Sequence, residues 1–163
     1  MANVMRWRYG ETNPVTLPVD STTEIEIGDL IKLDTDDAKP ASSINDIGGA
    51  GPATHAAAKE LFHDAFVGVA MQRSRDGDTA PIRIATSGVF EFDCDSDTFE
   101  LGERVGVEVD GSDALEDQKV MPETTANPHQ SIGAVAKRVG TANTKVLVEI
   151  NSTIMRDGPQ ASA

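Results

Sequence analysis

Few residues in this chain can do chemistry, and their spacing limits what that chemistry could be. His55 and His63 stand eight apart in "THAAAKELFHDA", and His129 lies far from both in "NPHQ". On a helix, eight residues make about two turns, so the first two share one face but sit ~12 Å apart, too far for one metal ion. With a single cysteine and neither HExxH nor CxxC, zinc is not supported, and the histidines read as surface or interface residues. Asp93, Asp95 and Asp97 in "DCDSDTFELGER" fall on the first, third and fifth positions of an EF-hand register. Thr98 then stands where the turn needs glycine, and Arg104 where a bidentate glutamate belongs. A solvated acidic turn is the plainer reading, with a looser calcium site as its alternative. Cys94 has Asp93 and Asp95 beside it and no basic neighbour to stabilise a thiolate. The glycine-rich "IGGAGP" (47–52) lacks the lysine and the serine or threonine of a phosphate loop, and no GxSxG occurs. These residues predict no enzyme, no cofactor and no metal.

Binding chemistry is concentrated at the start, in "VMRWRYGETNPV". Trp7 and Tyr9 are the only tryptophan and the only tyrosine among 163 residues, and Arg6 and Arg8 alternate with them. In extended geometry Met5, Trp7 and Tyr9 face one way and the arginines the other. Tryptophan, tyrosine and arginine are the side chains that most often dominate interfaces. Burying one tryptophan removes ~200 Å² from water, a gross gain of roughly 5 kcal/mol before ordering costs. Met5, Arg6, Trp7, Arg8 and Tyr9 are therefore the candidate partner-binding residues, carried on an extended N-terminal arm over residues 1–19. The competing reading makes "MRWRYG" the first strand, with Trp7 capping the domain's own core. Pro14 and Pro18 favour a connector over a central strand.

The elements behind these residues are mostly strands. Period-two patterning between polar turns predicts strands over 14–19, 23–27, 29–34, 65–72, 81–86, 89–93, 104–110, 131–139 and 145–150. One short helix is predicted at 54–63, with Thr54 as N-cap and Leu61 and Phe62 on an apolar face. Residues 34–52 read as a long loop. The predicted fold is mainly β: a small antiparallel barrel or sandwich over 20–152, with a C-terminal tail at 153–163.

Segments of this β region echo one another. "IEIGD" (25–29) matches "FELGE" (99–103), "VGVAMQR" (67–73) matches "IGAVAKR" (132–138), and "PIRIATSG" matches "KVLVEINS". The three echoes come in the same order twice, as a pseudo-duplicated fold would have them. Chance recurrence in a β protein gives the same pattern, and both readings predict one fold class. Glycine within "VGVA" and "IGAV" suggests close backbone approach at a curved strand.

Charge and length bound the rest. The formal net charge is −13, and outside the first ten residues 12 bases face 27 acids. Such a body repels nucleic acid, whose binding depends on lysine and arginine at phosphates. No run approaches the ~18 apolar residues of a membrane span. With no apolar secretory segment and one cysteine, a soluble protein made inside a cell is expected.

"EIEIGDLIKLD", the alanine-rich helix entering "FVGVAMQ", then "IRIATSGVFEFD", "FELGERVGVEVDG" and "SIGAVAKRVGTANTKVLVEI" together resemble the capsid decoration, or cement, proteins of tailed bacteriophages. The resemblance covers roughly residues 20–150. It implies a barrel-like domain on the outer capsid surface of a virion, made in the host cytoplasm. The domain would form a homotrimer and bridge subunits of the major capsid protein to stabilise the shell. The alternative function is a receptor- or glycan-binding β module, such as a head fibre or tail accessory protein. On the decoration reading, deleting residues 1–13 is expected to abolish capsid binding and leave a folded body.

Overall fold

The polar turns do cut the chain into short strands, and eleven form among the described residues. The computed structural model describes residues 3–156. After β1 (Trp7–Tyr9) come β2 (Val15–Leu17), β3 (Leu30–Asp34), β4 (Asp37–Pro40), β5 (Phe66–Ala70) and β6 (Ile82–Ala85). Then follow β7 (Val89–Cys94), β8 (Arg104–Val109), β9 (Leu115–Pro122), β10 (Gly133–Val135) and β11 (Lys145–Ile150). Helix α1 (His55–Ala65) lies between β4 and β5, and a single turn, α2 (Thr153–Arg156), follows β11. As expected, Thr54 caps α1, its hydroxyl accepting from the Ala57 N–H at 3.1 Å.

The strands form two sheets of the same topology. One is ordered β2-β6-β5-β3-β4, and the other contains β7-β11-β10-β8-β9, with β1 added on β7. The second closes on itself, because the far half of β7 pairs in parallel with β9. The first closes at the matching place through one hydrogen bond, Ala38 N–H to the Pro18 carbonyl at 2.9 Å. Each sheet is thus a small five-stranded barrel.

The registers agree as well. Ile31 faces Gly68 as Val105 faces Gly133, and Ile31 faces Pro40 as Val105 faces Pro122. Ala70 faces Ile84 as Val135 faces Val148. The interior of the first barrel holds Val19, Ile25, Ile31, Ala38, Val67, Ala70, Ile82 and Ile84. The positions matching them in the second barrel are Cys94, Phe99, Val105, Val120, Ile132, Val135, Val146 and Val148, all buried in the main core. Chance recurrence does not reproduce register, closure and core together, so the fold is a tandem duplication.

The glycine at the centre of each echo has the role expected of it. A Cβ on Gly68 would lie 1.7 Å from the Ala85 carbonyl oxygen, and one on Gly133 would lie 2.2 Å from that of Glu149. Each barrel bends here so tightly that the neighbouring strand's backbone fills the side-chain position.

Three sequence expectations are corrected. Residues 23–27 are not a strand: Ile25 makes one bridge, to Ser74, and the chain then turns at Gly28, whose φ is +99°. Residues 34–52 are not one loop, since β4 pairs with β3 across a two-residue turn at Thr35 and Asp36. The longest strand, β9, lies where no strand was expected. Its inward positions are Leu115, Gln118 and Val120, and a bulge against β8 at 107–109 breaks the alternation that would have marked it.

Helix α1 joins the halves. It leaves the first barrel and lays Ala58 and Phe62 on a core shared with the second, including Leu30, Val69, Phe90, Phe92 and Ile132. Its buried Lys59 pairs with the buried Glu123, and His63 Nδ1 meets the Ser131 carbonyl at 2.5 Å.

Candidate partner-binding surface

The alternation in "MRWRY" is realised, but with the arginine side facing in at Arg6. β1 pairs antiparallel with β7, Trp7 opposite Phe90 and Tyr9 opposite Val89. This places Arg6 in the seam between the barrels, 5% exposed. Its Nε donates to Gln118 Oε1 at 2.8 Å and its NH2 to Asp93 Oδ2 at 3.0 Å, while NH1 reaches the Glu91 carbonyl. Gln118 Nε2 in turn donates to Asp29 Oδ1 at 2.7 Å, and Asp29 Oδ2 accepts the Glu26 N–H. The chain of bonds from Asp93 through Arg6 and Gln118 to Asp29 therefore ties β1, the second barrel and the first.

Residues 3–6 go on to cover the first barrel's turn. Val4 N–H donates to the Ile27 carbonyl at 3.1 Å, and Ile27 N–H donates to Asn3 Oδ1 at 2.7 Å. The stretch expected as an extended arm is, over its described part, docked on its own chain. Val15–Leu17, also assigned to the arm, is a barrel strand.

Seam electrostatics follow from this burial. Burial pushes the Asp29 carboxyl up to about 6, against the hydrogen bonds from Gln118 and the Glu26 amide. Asp117 is also raised by burial, with Ser42 opposing, and Glu123 by burial against its bond to Lys59. Burial opposes ionisation of Asp93 too, yet hydrogen bonds from Lys145 and Arg6 hold it below the usual carboxylate range.

The other side of β1 is open. Met5, Trp7 and Tyr9 are 43%, 40% and 51% exposed, and no strand pairs with the outer edge of β1 among the described residues. Trp7 does not cap the core; its Nε1 donates to the Gly10 carbonyl at 3.0 Å, which holds the ring against the surface. Arg8 lies outside, bonded to Glu91 at 3.0 Å. The five candidate residues thus divide into a buried anchor, Arg6, and an exposed ridge of Met5, Trp7 and Tyr9 flanked by Arg8. Beside Tyr9 opens a cleft of about 620 Å³, whose walls include Glu11, Leu101, Ala136, Glu149 and Arg156.

The remaining candidates stay apart. Asp93 serves Arg6 and Lys145, and Asp95 pairs with Lys119 at 2.8 Å. Asp97 bonds the Thr98 amide, so the three carboxylates do not converge. His55 meets Asp113 at 3.0 Å on the surface and His129 lies 3.6 Å from Glu60, but His63 is buried rather than at a surface. Cys94 is buried, and burial and then Asp93 raise its thiol. No cluster of three or more His, Cys, Asp or Glu suited to a metal ion occurs among the described residues. No helix among them is long and apolar enough to cross a membrane.

Sequence reasoning missed Gln118, Asp29 and Leu101. Gln118 lies in the unrecognised β9, and Asp29 looked like an ordinary turn acid. Leu101 did carry a signal, an apolar residue at the tip of the echoed "FELGE" turn. Comparison with models of known protein families and with curated protein sequences gives no match.

Proposed function

We propose that this chain is a structural capsid decoration protein that binds the outside of a phage head and bridges major capsid subunits, as a homotrimer and without catalysis. The observation that carries the reading is the ridge of Met5, Trp7 and Tyr9. These large side chains stand on an unpaired strand edge that the buried Arg6 pins to the body. Arg8 NH1 donates to the Met5 and Trp7 carbonyls at 3.2 Å each, so a partner would pair with this edge by displacing or sharing that guanidinium, and would meet preordered side chains beside it. An acidic body suits an exterior site, where contact with the genome is not needed.

The test is co-sedimentation with undecorated heads. Because Arg6 is part of the seam, deletion of residues 1–13 would remove a structural group along with the ridge. The informative variant is Trp7→Ala with Tyr9→Ala. Saturable binding by the parent, weakened roughly 30-fold or more in the double variant, is the expected result. A folded parent that does not sediment with heads would reject the proposal. Glycan binding would then be tested next, since the exposed Trp7 and Tyr9, with a cleft that Tyr9 lines, also fit a sugar face.

A further inference from the structure

The duplication allows the two barrels to be compared turn by turn, and one difference stands out. Residues 25–29 and 99–103 are built alike. Ile25 bridges Ser74 as Phe99 bridges Val139. Arg73 pairs with Glu26 at 3.0 Å as Arg138 pairs with Glu100 at 2.9 Å. Asp29 caps the Glu26 amide at 2.8 Å as Glu103 caps the Glu100 amide at 2.9 Å. Gly28 N–H donates to Ala70 and Gly102 N–H to Val135, both at 2.9 Å.

Only the first turn is covered. Ile27 has its N–H and its carbonyl bonded to residues 3 and 4, and a Cβ on Gly28 would strike the Val4 carbonyl at 2.5 Å and Arg6 Cγ at 3.0 Å. The second turn is bare among the described residues. Leu101 is 72% exposed, its backbone N–H and carbonyl make no hydrogen bond, and nothing lies within 4 Å of a Cβ on Gly102.

Among the described residues, no segment covers that turn. The first barrel is preceded by the N-terminal stretch, but only residues 86–88 separate β6 from β7. The adjoining cleft has Glu11 and Glu149 on its walls against the single base Arg156, and Glu103 flanks the turn. Its charge favours a cation, the part Arg6 plays at the first turn.

We propose that the turn at Leu101 and Gly102 receives an extended, arginine-bearing segment of another protein, bound as residues 3–6 bind the turn at Ile27 and Gly28. The incoming backbone takes the Leu101 carbonyl through an N–H, and an amide or carbonyl oxygen takes the Leu101 N–H. An aliphatic stem lies over Gly102, and its guanidinium meets the acidic wall of the cleft. The site adjoins the Trp7 and Tyr9 ridge but does not depend on the decoration reading.

The test therefore uses isolated full-length protein and no heads. The probe is a synthetic peptide of the chain's own residues 3–10, NVMRWRYG, titrated into ¹⁵N-labelled protein. Saturable shifts at the amides of Leu101, Gly102 and Glu103 are expected. They should vanish in Leu101→Asp, which alters an exposed side chain, and with a peptide carrying Arg6→Glu. Glu149→Gln should weaken binding roughly two- to fivefold. Four results would overturn the proposal. These are no shifts in a folded protein, equal binding to Leu101→Asp, shifts at residues 27–28 instead, or the same shifts on concentrating the protein alone. The last would mean that a second copy occupies the turn.

Discussion

Arg6 and Trp7 are sequence neighbours with opposite fates, and substitutions should separate them. Arg6→Met removes a donor to the buried Gln118 and one of the two cations at Asp93, which keeps Lys145. A loss of about 2–4 kcal/mol is expected from urea denaturation. Trp7→Ala removes a ring that lies on the surface outside the core and should cost less, about 1 kcal/mol, whatever it does to binding. Asp29 adds a pH signature. Its folded pKa of about 6 lies above the ordinary aspartate value, so the folded state holds this proton more tightly than the unfolded chain. Its contribution is largest at or below the unfolded value, near pH 4, and declines as pH rises through about 6. Asp117 and Glu123 are shifted the same way, while the lowered Asp93 works in the opposite sense at more acidic pH. Urea midpoints should therefore rise on acidification from neutral pH toward about pH 5, and Asp29→Asn should flatten that rise. An unchanged slope in the variant would show that Asp29 is not its source.

Among the elements, the two glycine strands offer an internal comparison. Gly68 and Gly133 occupy matching places in β5 and β10, each with a carbonyl where a Cβ would go. Gly68→Ala and Gly133→Ala should each destabilise the protein on the order of 3 kcal/mol, by similar amounts, in thermal melts. A tolerated Gly133→Ala beside a severe Gly68→Ala would mean that the second barrel bends by another device. The strands with clean alternation, such as β7 and β11, were legible because one face is buried and the other is not. β9 was not legible, because an inward position holds Gln118, which the seam needs, and a bulge shifts its phase. β4 was hidden by its length and by Pro40, which only its place at the end of the strand tolerates.

Across the whole molecule, the halves share a core and should not come apart. Leu30, Phe62, Val69 and Ala85 of the first half pack with Phe90, Val105, Ile132 and Val148 of the second, and α1 spans the junction. One cooperative transition is expected, with Trp7 fluorescence and far-ultraviolet circular dichroism coinciding. Two separated transitions would mean that each barrel is stable alone.

The sequence by itself determined the mainly β class, the capped helix and the echoes that mark the duplication. Periodicity, capping and turn chemistry are local, and each is written within a few residues. It also determined the two faces of "MRWRY", because strand geometry alternates side chains. Which face turned inward was decided only by the tertiary structure. Arg6 is buried because Gln118, Asp93 and the Glu91 carbonyl, brought from 85 or more residues away, together satisfy its guanidinium. Leu101 is bare for the converse reason. Its turn matches one that the N-terminus covers, and no segment within the described chain reaches it.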